Sequence, residues 1–314
     1  MTGNAPTVSV VMSMRNEQPH VARAIQSILA QTLEDLELII IDDYSTDASM
    51  DVCRAFADRR IRLHVKTSEA PHLAASRNLG IQMARGRWVT FQDADDTCQA
   101  DRLARQLELA TAGAGPRVAG CSIRRVQDGR ERICAMPAAH EQIVKGFGRS
   151  YRRTTIVAGT ILAPRAVLER FPYRTQFRYM QDWDQLLRMH ESGEVRFGNC
   201  PEPLYTYFIR SKGAMAQPQW LDFNIFVRHC QHRRRQGRPE CGNLEEFRRH
   251  LAGHPLECAR WMALRAAIGR RKAMLQALSG TAHQFHTAKR RLLQLVLAAS
   301  GQPRRAENPS PWYL

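Results

Sequence analysis

The residues best able to do chemistry close one short run, Trp88-Val89-Thr90-Phe91-Gln92-Asp93-Ala94-Asp95-Asp96. Strand side chains repeat every two residues, so Asp93 and Asp95 project to the same side at the carboxyl end of an apolar, β-prone segment. Carboxylates this close repel unless a cation, a proton or a hydrogen-bond donor lies between them, and two hard oxygen ligands suit Mg²⁺ or Mn²⁺ bound jointly with a substrate phosphate. Asp also caps helices that follow strands, which gives the same triplet a purely structural reading. Two further acidic points recur in similar settings. Asp42-Asp43 follows the apolar run Leu36 to Ile41, and Asp182 precedes Trp183, Leu186, Leu187 and His190, whose one-face spacing puts Asp182 in the first turn of a helix. There the helix dipole favours a carboxylate, so helix capping stands beside a functional role as a reading of Asp182.

The elements that must hold these groups read as alternating strands and helices. Residues 7 to 14 form a buried strand, and Val21, Ala24, Ile25, Ile28 and Leu29 recur at helical spacing. A strand from Leu36 to Ile41, a helix after Asp47, a short strand from Ile61 to Lys66, a helix from Pro71 to Met83 and a strand at Trp88 follow. Such alternation implies a parallel sheet with right-handed crossovers, whose ligands bind beyond the carboxyl ends of the strands, where Asp43 and Asp93 lie. A helix through Leu103, Leu107 and Ala110 and a strand from Arg117 to Val126 come next. Residues 127 to 153 show little periodicity and read as a loop region, and Thr155 to Leu162 and residues 203 to 209 read as strands. Ser211 to Pro218 reads as a polar flap.

Bulk properties narrow the classes. The chain of 314 residues has ordinary hydrophobic content, 44%, but a formal net charge of +16, which favours an anionic partner. About +11 of that lies after residue 215, in Arg233-Arg234-Arg235, Arg248-Arg249, Arg270-Arg271-Lys272 and Lys289-Arg290-Arg291. The reading is therefore a catalytic segment 1–215, a basic helical region 216–300 and a flexible tail 301–314. Leu292 to Leu297 after a basic triplet suits either a helix lying on an anionic bilayer or a buried bundle helix. His283 and His286 are spaced to share a helix face, with nothing nearby to complete a metal site. No stretch approaches the roughly 20 apolar residues of a spanning helix, and no signal peptide is evident, so a cytoplasmic, at most peripheral membrane, protein is expected. The eight cysteines lack close paired spacing and point to neither a zinc site nor a disulfide framework.

The runs Val-Val-Met-Ser-Met-Arg-Asn-Glu, Ser-Ile-Leu-Ala-Gln-Thr, Ile-Ile-Asp-Asp-Tyr-Ser-Thr-Asp, Ser-Arg-Asn-Leu-Gly-Ile and Gly-Arg-Trp-Val-Thr-Phe-Gln-Asp-Ala-Asp-Asp, followed by Gln181-Asp182-Trp183, stand in an order and spacing that resembles the family 2 glycosyltransferases of the GT-A fold. The resemblance covers residues 7 to about 210. It implies a mixed α/β sheet flanked by helices, and inverting transfer of a sugar from a nucleoside diphosphate donor, with UDP the commonest, to a glycan or glycolipid acceptor hydroxyl. By the same resemblance Ser13 and Arg15 line the nucleoside pocket, Asp43 accepts from the base, Arg77 and Asp93 belong to the donor site, Asp95 ligates Mn²⁺ or Mg²⁺, and Asp182 is the general base. The chain departs from the family at Gln181, where Glu is frequent, and at Tyr207-Phe208-Ile209-Arg210, where a Tyr-Arg-x-His run is frequent. Arg210 in place of that His could make a direct cation contact with phosphate.

Three other classes compete. A nicotinamide dehydrogenase needs a glycine-rich turn after the first strand, and Ser13-Met14-Arg15-Asn16-Glu17 contains none. A basic adaptor for membranes or nucleic acid would leave the acidic turns as helix caps, yet no nucleic-acid module is present. A nucleotidyltransferase on a related fold would share the metal and the nucleotide.

Overall fold

The computed structural model describes residues 5–67, 70–149, 155–210, 219–259, 261–264 and 266. Two compact units divide the chain, Met1–Cys258 and Ala259–Leu314; the elements below belong to the first. His283, His286, the Leu292 to Leu297 helix, the Ser211 to Pro218 flap and the tail lie outside the described residues.

The first half is a run of βα units: β1 (Val8–Met14), α1 (Val21–Leu29), β2 (Leu36–Asp42), α2 (Ser49–Arg54), β3 (Ile61–Val65), α3 (Leu73–Met83) and β4 (Trp88–Phe91). Every residue of β2 is buried, as a strand covered on both faces requires. In α1 the buried residues Val21, Ala24, Ile25 and Ile28 form the stripe that packs on the sheet. β3, β2, β1 and β4 are parallel neighbours in that order. Asp42, Asp43 and the turn after Phe91 are thereby aligned along one edge.

The second half changes direction. β5 (Thr97–Cys98), α4 (Arg102–Thr111), β6 (Arg117–Gln127), β7 (Arg130–Cys134), α5 (His140–Arg149), β8 (Leu162–Pro164), α6 (Arg165–Arg170), α7 (Gln181–Glu191) and β9 (Arg196–Phe208) follow. β8 runs antiparallel to β4, β6 is antiparallel to β8 and parallel to β9, and β5 is antiparallel to β9. The sheet is thus mixed, and the purely parallel arrangement implied by alternation holds only for β1 to β4. Two segments differ from the sequence reading. Residues 127 to 149 contain a hairpin and a helix instead of a loop, the rest of that stretch lying outside the described residues: Asp128 and Gly129 both take positive φ, 49° and 73°, the geometry of a tight two-residue turn between β6 and β7, and Ile143 and Phe147 of α5 are buried. Thr155 to Leu162 is not a strand but a 3₁₀ turn, Ala158–Thr160, leading into β8. The Thr160 hydroxyl donates to the Val157 carbonyl at 2.8 Å and holds that turn.

Beyond the sheet, α8 (Gln219–Arg235) is buried all round over Phe223 to Gln231 and α9 (Leu244–Ala252) is amphipathic; Phe226 of α8 stacks on Phe247 of α9 at 5.4 Å and meets Phe177 in a tilted contact at 4.9 Å. Part of the first arginine cluster is spent internally, since Arg234 and Arg235 both bind Glu191. No described helix is long and apolar enough to cross a membrane.

Gly86, in the turn into β4, has no room for a side chain. A Cβ there would lie 2.7 Å from the Ser9 nitrogen and 2.9 Å from the Val8 carbonyl carbon, both main chain of the adjacent β1. Gly86→Ala is expected to lower stability by about 1 to 3 kcal/mol, measured as a reduced urea midpoint at unchanged slope.

Candidate active site

Arg77 lies on the buried face of α3 with Ala74, Gly80 and Ile81. From there its guanidinium donates to Asp93 Oδ1 at 2.8 Å, packed between the rings of Phe91 and Tyr173 at 5.4 and 5.5 Å. Burial opposes its charge, and Tyr173, Asp93 and Asp182 more than offset that opposition. Asn78 fastens the Tyr173 main chain from the same helix, donating to its carbonyl at 2.8 Å and accepting from its N–H at 2.9 Å. The Asp93 N–H donates to the Tyr205 hydroxyl, 3.2 Å away.

Asp95 has a different counter-group. Arg210, just past β9, reaches Asp95 Oδ2 at 2.6 Å and both oxygens of Glu17 at 2.7 and 3.0 Å. Burial pushes the Asp95 carboxyl up to about 6, with Asp93 adding to the rise, Arg210 opposing it and Glu17 contributing further. A cationic side chain thus bridges two carboxylates beside a third. That donor set, all oxygen and already arranged around positive charge, fits a hard divalent cation. The Tyr-Phe-Ile-Arg departure noted in the sequence therefore lands on Asp95 itself.

Asp96 belongs to the scaffold. It is fully buried and accepts the Phe208 N–H at 2.8 Å, which ties β9 to the acidic turn. Burial, then Asp93 and Asp95, push its carboxyl well above the usual carboxylate range, which favours the protonated form. It caps no helix; Asp101 holds the position before α4.

At the β1 and β2 ends, buried Asp43 pairs with buried Lys66 at 3.1 Å, and the Asp43 N–H donates to the Met14 carbonyl at 2.9 Å. The Ser13 hydroxyl is buried with no hydrogen-bond partner among the described residues, and Arg15 is exposed beside it. The connecting loops are strained. Asn16 and Tyr44 hold positive φ of 57° and 66°, and Asn16 Oδ1 accepts the Thr46 N–H at 2.7 Å, locking the two loops together. Non-glycine residues at positive φ concentrate where a site over-determines the backbone. Met180, at φ 63°, starts α7 in the same way and sets Asp182 in its first turn. Burial raises the Asp182 carboxyl, Arg77 and the Trp183 N–H hold the rise back, and Asp93 adds to it. Asp182, Arg77 and Asp93 are thus one electrostatic group. Asp184, the other acid of that turn, is fully buried between Arg174 and Arg188 and is structural.

The fold therefore gathers Arg77, Asp93, Asp95 and Asp182, and sets Ser13, Arg15 and Asp43 along the same sheet edge. Sequence reasoning passed over Glu17, Lys66 and Tyr205. The first two lie in or beside quoted runs at strand ends, where the sheet-edge rule applies; Tyr205 gave no local signal.

Because Arg210 holds the carboxylates that a metal would take, Arg210→Ala is expected to bind Mn²⁺ more tightly without nucleotide. The gain is about 1 kcal/mol, roughly fivefold, read by calorimetry. Weaker Mn²⁺ binding in the variant would place the ion elsewhere.

Residues 9–175 match the family model described as glycosyl transferase family 2. The succinoglycan biosynthesis protein ExoO of Rhizobium meliloti is 40% identical over 115 residues, 36% of this chain and 32% of the relative. An uncharacterized glycosyltransferase of Haemophilus influenzae is 37% identical over 109 residues, 34% of this chain and 43% of the relative. The matches thus span less than half the length of these two relatives. Among solved structures, S. aureus TarS 1–349 in complex with UDP superposes with a TM-score of 0.55 at 16% identity, covering 72% of this chain and 65% of that one. The fold is accordingly that of the GT-A glycosyltransferases, as the resemblance implied. With more than half its length inside the family model, the chain belongs to glycosyl transferase family 2.

Proposed function

We propose that the chain is a metal-dependent, inverting glycosyltransferase that moves a sugar from a nucleoside diphosphate donor, UDP first among them, to an acceptor hydroxyl in surface polysaccharide or glycolipid assembly. The observation that carries this reading is the pairing, on one sheet edge, of a raised carboxyl, Asp182, with the Arg77–Asp93 ion pair and the Glu17–Asp95 carboxylates. ExoO, by its name a succinoglycan biosynthesis protein, supports the polysaccharide setting. TarS structures hold UDP and UDP-GlcNAc, which supports uridine.

In this mechanism Asp182 takes the proton of the acceptor hydroxyl as its oxygen bonds to the anomeric carbon, and the bond from that carbon to the diphosphate oxygen breaks. One displacement inverts the centre, so no second carboxylate is needed as a nucleophile. Asp95, with Glu17 and Asp93, would hold Mn²⁺ or Mg²⁺, which supplies charge neutralisation for the departing diphosphate. Arg77 holds Asp93 in place and opposes the rise of the Asp182 carboxyl. Ser13, Arg15 and the Asp43–Lys66 pair flank the nucleoside; the unpartnered Ser13 hydroxyl is the group most in need of a ligand there. A peripheral position on an anionic membrane belongs to the same reading, drawn from the basic C-terminal sequence.

The test is product analysis with a panel of nucleotide sugars, Mn²⁺ and membrane-derived acceptors. Release of free nucleoside diphosphate supports glycosyl transfer, and pyrophosphate would indicate nucleotidyl transfer instead. Asp182→Asn is expected to cut turnover by about 10²- to 10⁴-fold while calorimetry shows donor binding nearly unchanged. Since the Asp182 carboxyl is raised and must be ionised to accept the proton, kcat/KM in the wild type should fall as pH drops, with its midpoint above the usual value of about 4. An acid limb at or below 4 would remove Asp182 from that role.

A further inference from the structure

Away from the sheet edge, three side chains from separate stretches of the chain meet. His229 of α8 is fully buried, His250 lies in the last turn of α9, and Glu257 lies in the short helical segment that starts at Pro255. Glu257 Oε1 stands 3.1 Å from His229 Nδ1, and its Oε2 stands 3.0 Å from His250 Nε2. One ligand atom from each of the three lies within 4.8 Å of the others. Ligands of a tetrahedral zinc ion, at about 2.0 to 2.2 Å from the metal, stand about 3.3 Å apart; each imidazole nitrogen stands near that distance from a different oxygen of Glu257.

The surroundings also suit a metal. The second ring nitrogen of His229, Nε2, faces the Cys241 sulfur at 3.6 Å; such a partner on the far nitrogen fixes ring orientation, as around bound zinc. His254 stacks on His250 at 4.2 Å, and its Nδ1 lies 2.8 Å from the His250 carbonyl. Phe247 closes the apolar side of His229 at 4.8 Å. Two imidazoles and one carboxylate, with sulfur in the second layer, form a nitrogen-rich set that favours zinc over the hard cations suited to Asp95.

We propose that His229, His250 and Glu257 form a zinc site, with water as the fourth ligand, that pins α9 and the segment after it to α8. Sequence spacing hid it, because its ligands come from positions with no short repeated interval and none of the three is a cysteine. The site is separate from the acidic turn and does not depend on the reaction assigned to the chain.

The test uses the full chain, purified without a polyhistidine tag, stripped with chelator and titrated with Zn²⁺ alone. The expected result is about one zinc per chain retained after gel filtration, a higher melting temperature with Zn²⁺, and visible absorption typical of tetrahedral coordination when Co²⁺ replaces it. Asp95→Asn should retain that zinc. His250→Ala and Glu257→Gln should each lose at least about tenfold in Zn²⁺ affinity; Glu257→Gln keeps the side chain's shape, and circular dichroism verifies its fold. Wild-type protein that retains no zinc and shows no thermal shift overturns the proposal, as does undiminished zinc in the folded Glu257→Gln protein.

Discussion

Three carboxylates within four residues cannot share one turn without compensation, since two like charges about 4 Å apart repel by about 4 kcal/mol even at an effective dielectric near 20. The fold answers each in a different currency. Asp93 receives a buried guanidinium from α3, Asp95 a half-exposed one from beyond β9, and Asp96 a proton and a main-chain N–H. Much of the architecture can be traced to delivering those counter-groups. α3 must bury Arg77 on its apolar stripe, and β9 must run far enough to bring Phe208 and Arg210 to the turn.

Beneath the turn, a second arginine keeps the platform rigid. Arg102 is fully buried at the start of α4 and donates to Gln92 Oε1 at 3.3 Å and to the carbonyls of Gly159 and Phe91 at 3.2 and 3.3 Å. Gln106, one turn on, reaches the carbonyls of Ala119 and Thr160 at 3.0 and 2.6 Å. These contacts satisfy main-chain groups where β4, β6 and the 3₁₀ turn diverge and regular sheet pairing stops. A buried polar network of this kind specifies one arrangement more sharply than an apolar layer could.

The parallel half of the sheet was legible because its physics is local. Strand runs and helical stripes from residue 7 to 91 appear in the sequence at the correct period, and the sheet-edge rule then places Asp43 and Asp93. The second half was not, because its strands pair across long intervals and its signals are small: the Asp128-Gly129 turn, one 3₁₀ hydroxyl bond, the three residues of β8. Among the site residues, types at strand ends could be singled out, but partnerships could not. Nothing near Asp95 in the sequence announces Arg210, and nothing near Asp43 announces Lys66, since each pairing depends on where a distant strand ends. Asp96 shows the limit best: it shares its residue type and neighbourhood with Asp95, and only burial separates an acid held by a main-chain N–H from one that faces Arg210.

The span of these partnerships bears on how the molecule comes into being. Asp93 and Tyr205, and likewise Asp96 and Phe208, are 112 residues apart, and Glu17 and Arg210 are 193 apart. A chain emerging from the ribosome at about 5 to 20 residues per second thus holds its acidic turn for some seconds before β9 and Arg210, which complete the turn's partnerships, exist. Through that interval Asp93 and Asp43 already have Arg77 and Lys66 beside them, whereas Asp95 lacks Arg210 and Asp96 lacks the Phe208 N–H, so water and dissolved cations are what those two meet. Completion of β9 is then both the last step in building the sheet and the step that turns an electrostatically frustrated edge into a settled one.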